Sequence, residues 1–278
     1  MDPKLERLND LLRQTEGVLV AFSAGVDSTF LLKVAHTALG ERAVALTAAS
    51  PTAPPGELEA AKEFAAILGC RHVVLDSHEL ANPSFQQNPV NRCFFCKDEL
   101  YRICHEQADR LGIGVVVDGT NLDDLKDHRP GLKAAKEWGI RHPLVEAEMT
   151  KDDIRRYSRE LGLPTWDKPS SPCLSSRFPY GTEINLERLK QIGACELFMK
   201  GLRFREFRVR YHGDLARIEV AANEFDRLFE KETREAIIGK FKEVGFSYVS
   251  LDLQGYRTGS LNEVLKTKTI RQSSEKLD

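Results

Sequence analysis

Short apolar runs alternate with amphipathic stretches through the first half of the chain. Val18 to Phe22, Ala43 to Ala48, His72 to Leu75, Val115 to Asp118 and His142 to Val145 have the length and β-branched content of strands. Between them, apolar positions recur at helical spacing: Leu31, Val34, Ala35 and Ala38, then Leu58, Ala61, Ala65 and Leu68, then Leu100, Ile103, Cys104 and Leu111. Strands separated by helices of this length predict an α/β domain with a parallel five-stranded sheet, its right-handed crossovers covering both faces.

The pattern breaks after Leu163, where PTWDKPSSPC carries three prolines and cannot continue a helix. The expected domains are therefore 1–165 and 166–278. The second reads as a smaller α+β module: a helix from Leu186 to Lys200, two alternating runs, Arg208 to Tyr211 and Ala216 to Val220, joined by a turn at His212-Gly213-Asp214, another helix, and a run Tyr248 to Leu253. No internal repeat is visible, and TIRQSSEKLD reads as a loose tail.

Composition changes this picture little. The 278 residues are 41% apolar and 29% charged, ordinary globular usage, and 40 Lys+Arg against 42 Asp+Glu give −2, which excludes a generally basic nucleic-acid-coating surface. MDPKLERLND lacks the basic-then-apolar order of a leader, and no run approaches the roughly 18 apolar residues of a membrane span. A cytoplasmic protein without membrane contact is expected, and there closely spaced cysteines read as metal or redox ligands rather than disulfides.

The strongest local signal is VLVAFSAGVDSTFLL: a strand, then Ser23-Ala24-Gly25-Val26-Asp27-Ser28, then a helical pattern. Small residues let the backbone approach a phosphate chain, the Ser23 and Ser28 hydroxyls can donate to it, and the helix supplies open N–H groups. The loop has neither the lysine of a G-x-x-x-x-G-K-[ST] loop nor the G-x-G-x-x-G pattern, and Asp27 suits a magnesium bridge to phosphates. A strand-to-helix turn capped by Asp27 or Ser28 is the equal alternative on physical grounds. Gly119-Thr120-Asn121 forms a second turn after the strand ending at Asp118.

Cys93-Phe94-Phe95-Cys96 places two thiols within reach of one metal, and Cys173 follows in the proline-rich loop. Three thiolates with no evident fourth ligand leave one coordination position open; a cluster, zinc and no metal at all stand level from spacing alone. Cys70, Cys104 and Cys195 lie in apolar patterns and read as core thiols. In Cys173-Leu174-Ser175-Ser176-Arg177, Ser176 and Arg177 can clamp a phosphate or carboxylate. Strand alternation puts Arg208 and Arg210 on one face, either for an anion or to blunt an exposed edge, and Glu196 and Glu219 either balance these arginines or hold a metal.

The loop S-A-G-V-D-S resembles the S-G-G-x-D-S loop of PP-loop ATP pyrophosphatases, a Rossmann-like fold of the adenine nucleotide alpha hydrolase type. Together with DHRPGLKA, SSRFPYG, RVRYH with LARIE, and LDLQGYRTG, it is similar over most of the chain to the LarE family of ATP-dependent sulfur transferases, which mature the nickel-pincer nucleotide of lactate racemase. The resemblance implies an ATP site at Ser23, Ala24, Gly25, Val26, Asp27, Ser28, Gly119, Thr120 and Asn121, with Asp27 holding Mg2+. It implies adenylylation of the carboxylates of pyridinium-3,5-biscarboxylic acid mononucleotide, a small-molecule substrate held by Ser176, Arg177, Arg208 and Arg210 with Glu196 and Glu219 as neighbours. Some members sacrifice the sulfur of one cysteine; this chain departs from them by carrying Cys93 and Cys96 besides Cys173, which resembles the subclass that holds a 4Fe-4S cluster and delivers hydrosulfide from it. A homo-oligomer and transient contacts with other cofactor-maturation proteins are further implications. Among rivals, a cluster-dependent tRNA thiolase conflicts with the net charge, the absence of zinc-ribbon cysteine pairs and the short basic run, a PP-loop amide synthetase has no use for three site cysteines, and a nucleotide-binding or metal-storage module would release no pyrophosphate.

Overall fold

The computed structural model describes residues 2–126, 129–257 and 259–263, and the chain divides into two compact units, Met1–Pro172 and Cys173–Asp278. Asp127 and His128 of DHRPGLKA, Thr258 of LDLQGYRTG and the TIRQSSEKLD tail lie outside the described residues.

In the first unit the order is α1 (Pro3–Arg13), β1 (Val18–Ala21), α2 (Val26–Leu39), β2 (Ala43–Ala49), α3 (Glu57–Ile67), β3 (Arg71–Asp76), α4 (Pro83–Gln86), α5 (Arg92–Leu111), β4 (Val116–Asp118), α6 (Gly131–Glu137), α7 (Pro143–Glu146) and α8 (Lys151–Glu160). All strand pairs are parallel in the order β3-β2-β1-β4, with Val18 opposite Ala43 and Leu19 opposite Val116. Pleating sends Val18 and Val20 to one face, against apolar side chains of α1, α2, α3 and α8, and Leu19 and Ala21 to the other, against α5 and α6. All four are buried, which explains why β1 reads as an unbroken apolar run rather than an alternating one. Burial of Val18, Leu19 and Val20 stabilises the fold by roughly 2 kcal/mol each, and the single methyl of Ala21 by less than about 1 kcal/mol.

The expected fifth strand, His142–Val145, is not one. Pro143 has no N–H for a ladder and a φ set for a helix, so it opens α7, and this segment touches the sheet through the bridge of Arg141 to Val117. Among the described residues the sheet is four-stranded.

The second unit runs α9 (Leu186–Gly201), β5 (Phe207–His212), β6 (Leu215–Val220), α10 (Phe225–Phe229), α11 (Lys231–Glu243) and β7 (Tyr248–Leu251). Its sheet has the order β5-β6-β7, antiparallel then parallel. Gly213, at φ +70°, supplies the backbone that the two-residue turn after β5 requires. Phe178, Tyr211, Phe241 and Phe246 form a chain of ring contacts beneath this sheet.

Thr150 and Asp153 form a reciprocal capping box at the start of α8, the helix whose first residue is Lys151. Thr150→Ala is expected to cost about 1 kcal/mol of stability, read as a lower urea midpoint with an unchanged slope.

Candidate functional site

Parallel strands of the first unit end together, and the candidate nucleotide residues stand at those ends. Gly25 is the N-cap of α2 and no side chain caps the helix, so neither Asp27 nor Ser28 plays the capping role open from sequence. The first-turn N–H groups therefore face the loop, the arrangement that binds anions. The Ser28 hydroxyl instead closes the loop on itself, accepting from the Ser23 amide at 3.3 Å and lying 3.1 Å from the Ser23 hydroxyl. Ala24, fully buried, takes φ +55°, a left-handed conformation that costs a non-glycine residue about 1 kcal/mol.

The second turn fits against the first at backbone distance. A Cβ on Gly119 would lie 2.9 Å from the Ser28 nitrogen and 3.1 Å from its Cα, so only glycine permits this approach. Asn121 is buried; its carbonyl oxygen accepts from the amides of Asp123 and Asp124, and its NH2 donates to Asp27 Oδ1 at 3.2 Å. Asp118 receives the Thr120 amide at 3.0 Å, the Tyr101 hydroxyl at 2.7 Å and His142 Nδ1 at 2.7 Å, with Lys97 Nζ 3.9 Å away. Burial pushes this carboxyl up, but the His142 hydrogen bond and the Lys97 charge outweigh it and hold the group well below the usual carboxylate range.

Two lysines at this end escape sequence reading because they arrive from far along the chain. Lys151 Nζ lies 2.5 Å from Asp27 Oδ2, and Lys168 Nζ donates to the Ala24 carbonyl at 3.1 Å and to Glu57 at 2.7 Å. The loop, which lacks a lysine of its own, is thus served by cations 124 and 144 residues away. Asp27 offers the hard oxygen that magnesium prefers, at the position where Lys151 now sits.

In the second unit the predicted arginines are deeply engaged. Arg177 makes a two-pronged pair with Glu196 at 2.8 Å for both contacts, and Arg210 makes one with Glu219 at 2.9 and 2.8 Å; both guanidiniums are buried. Glu196 and Glu219 therefore balance arginines, the first of the roles open from sequence. β5 is an edge strand as that alternative supposed, yet Arg210 is buried, and Glu196 on α9 accepts the Val209 amide at 3.0 Å, closing part of the edge. Ser176 donates its hydroxyl to the Cys173 carbonyl at 2.8 Å and accepts from Arg177 at 2.7 Å, while its own carbonyl accepts from Arg210 at 2.8 Å. Cys173 thus begins a network holding Ser176, Arg177, Arg210 and both carboxylates. Arg208 lies 5.0 Å over the Tyr256 ring; burial, then the charge of Arg177, holds its guanidinium below the ordinary value. Tyr256, within LDLQGYRTG, and Ser260 just after it, which hydrogen-bonds Arg210 at 2.8 Å, complete the cluster, though neither has a role legible in sequence.

The six cysteines separate by exposure. Cys70, Cys104 and Cys195 are buried, and burial pushes their thiols up to about 11, 12 and 12. Cys93 is exposed and Cys96 half-buried, one turn apart at the start of α5, and Cys173 is half-buried at the start of the second unit. Among the described residues no three His, Cys, Asp or Glu side chains are gathered to hold a metal ion. The solvent-reached thiols fit thiolate ligation by chemistry; the buried three do not.

No family model matches the chain. A protein of Synechocystis sp. with no assigned function is 45% identical over 265 residues, covering 95% of this chain and 99% of its own. The pyridinium-3,5-bisthiocarboxylic acid mononucleotide synthase of Lactiplantibacillus plantarum is 36% identical over 255 residues, 91% of this chain and 92% of that protein. A glutamine-hydrolysing GMP synthase component of Archaeoglobus fulgidus is 26% identical over 164 residues, 52% of this chain and 51% of its own.

Two outcomes check this geometry. Gly119→Ala forces the two turns apart and is expected to weaken ATP binding on the order of tenfold, the scale of overpacking in a tight site, as measured by equilibrium dialysis. Asp118 is more acidic folded than unfolded, so its stabilisation is complete above the unfolded value of about 3.9 and is lost as pH falls toward the folded value. Between pH 7 and pH 3, Asp118→Asn should therefore lose less stability to urea than the unchanged protein does.

Proposed function

The chain belongs to the LarE family of the PP-loop ATP pyrophosphatase superfamily, an ATP-using sulfurtransferase family, and we propose that it converts pyridinium-3,5-biscarboxylic acid mononucleotide to its thiocarboxylates. The observation that carries the reading is the uncapped N-terminus of α2 behind Ser23–Ser28, met at backbone distance by Gly119, in a chain 36% identical to a synthase of the dithiolated product.

The chemistry needs activation before sulfur arrives. A carboxylate resists sulfide because oxide is a poor leaving group. Attack of a substrate carboxylate oxygen on the α-phosphorus of ATP forms an acyl adenylate and releases pyrophosphate; sulfide then attacks the acyl carbon and AMP leaves. Residues Ser23 to Ser28 receive the phosphates on the α2 N–H groups, and Gly119, Thr120 and Asn121 border the same site. Asp27 would hold Mg2+ once Lys151 gives up its oxygen. Arg177, Arg208, Arg210 and Ser176 carry the positive region for the substrate's phosphate and carboxylates, with Glu196 and Glu219 fixing the direction of the two buried forks. Cys93, Cys96 and Cys173 would hold a 4Fe-4S cluster, which supplies an iron position open to an incoming sulfide.

No described helix is long and apolar enough to cross a membrane; a cytoplasmic setting and a homo-oligomer with transient maturation partners belong to this proposal.

Anaerobically purified protein is expected to release pyrophosphate and AMP when given ATP, the bis-acid mononucleotide and sulfide, to contain roughly four irons per chain, and to keep its intact mass after turnover. Cys93→Ser should lower iron and stop thiocarboxylate formation while pyrophosphate release continues. Silence of pyrophosphate release with all substrates present would sink the reading, and loss of the elements of hydrogen sulfide from the Cys173 peptide would replace cluster delivery by a sacrificed cysteine.

A further inference from the structure

We propose that Lys168 is a positioning residue that holds the phosphate loop in its strained, anion-receiving form and thereby couples ATP binding to the order of the proline-rich connector. This rests on the reading of Ser23 to Ser28 as the ATP loop.

Two features meet at one residue. Ala24 is the loop position with left-handed backbone, φ +55°, where a glycine would be free of strain, and its carbonyl is the one that the Lys168 ammonium grasps at 3.1 Å. The same ammonium donates to Glu57 at 2.7 Å, in the first turn of α3, and lies 5.8 Å over the Phe64 ring of that helix. Lys168 thus ties the loop to α3, and its charge-assisted bond opposes relaxation of Ala24 toward ordinary backbone.

The connector cannot follow the loop loosely, because its main chain is fixed beside the same residue. Arg155 of α8 donates to the carbonyls of Trp166 at 2.7 Å and Lys168 at 3.1 Å, Arg159 lies 5.2 Å over the Trp166 ring, and Thr165 is fully buried. The chain is therefore clasped as far as Lys168, and Pro169 to Pro172, immediately ahead of Cys173, are exposed. A ligand that favours the strained loop must favour the Lys168 contact, and by linkage the contact must favour the ligand.

The test is a double-mutant cycle on ATP affinity by calorimetry: unchanged protein, Lys168→Met, Ala24→Gly and the pair, with Lys168→Arg as the charge-keeping variant. Lys168→Met is expected to weaken ATP binding about tenfold when Ala24 is present and less than about threefold in the Ala24→Gly background, where no strain needs holding. Lys168→Arg should recover most of the loss. Hydrogen exchange supplies a readout independent of affinity: ATP should slow the Trp166 and Lys168 amides in the unchanged protein and leave them unaffected in Lys168→Met at saturating nucleotide. Equal losses in both backgrounds would make Lys168 a simple phosphate charge or a prop and overturn the inference, as would no loss in either. Failure of the unchanged protein to bind ATP would instead overturn the functional reading, and this inference with it.

Discussion

A strand that is hydrogen-bonded on both edges and buried on both faces can present chemistry only at its ends, and β1 is such a strand. Paired with β2 on one side and β4 on the other, it sends Val18 and Val20 one way and Leu19 and Ala21 the other, all out of water. The polar residues that follow, Ser23 to Ser28, therefore emerge at the carboxyl end, beside the turn that leaves β4 through Gly119. This is where open parallel sheets bind ligands. The lack of room for a Cβ at Gly119 shows how far the sheet dictates the site: two turns remote in sequence are pressed together by strand pairing, and a single methyl group would separate them.

The second unit solves a different problem. Arg177 and Arg210 are out of water, which costs more than a surface ion pair returns unless every donor is used. Each is matched by a two-pronged carboxylate, and further donors go to the oxygens of Cys173, Ser176 and Ser260. Such pairs add little net stability, but they leave each guanidinium one orientation. Arg208 is held below the ordinary guanidinium value by burial and then by the charge of Arg177, and it rests over the Tyr256 ring instead of in a carboxylate fork.

Periodicity carried most of the fold and little of the site's wiring. β1 to β4 and the β5–β6 hairpin are legible because apolar period and turn residues act locally. The fifth strand misleads for an equally local reason: the apolar letters of His142 to Val145 fit a strand, and Pro143 overrules them. In the candidate site, the strand-loop-helix at Ser23 to Ser28 and the second turn at Gly119 are readable for the same reason as the strands. The Lys151 and Lys168 contacts are not, since nothing near Asp27 or Ala24 announces a cation more than a hundred residues away. The pairing of Glu196 with Arg177 and of Glu219 with Arg210 stayed open in sequence because α9 and the two strands choose partners only once packed.

Exposure decides what the six cysteines can do more sharply than spacing does. A thiolate is the form that ligates metal or attacks, and forming one in an apolar interior carries the desolvation that pushes Cys70, Cys104 and Cys195 to about 11, 12 and 12. Those three remain protonated core side chains at neutral pH. Cys93 and Cys96 meet solvent from successive turns of one helix face, and Cys173 begins the segment whose backbone Ser176 and Arg177 hold. Packing alone therefore separates the six thiols into three shut in the interior and three that solvent reaches.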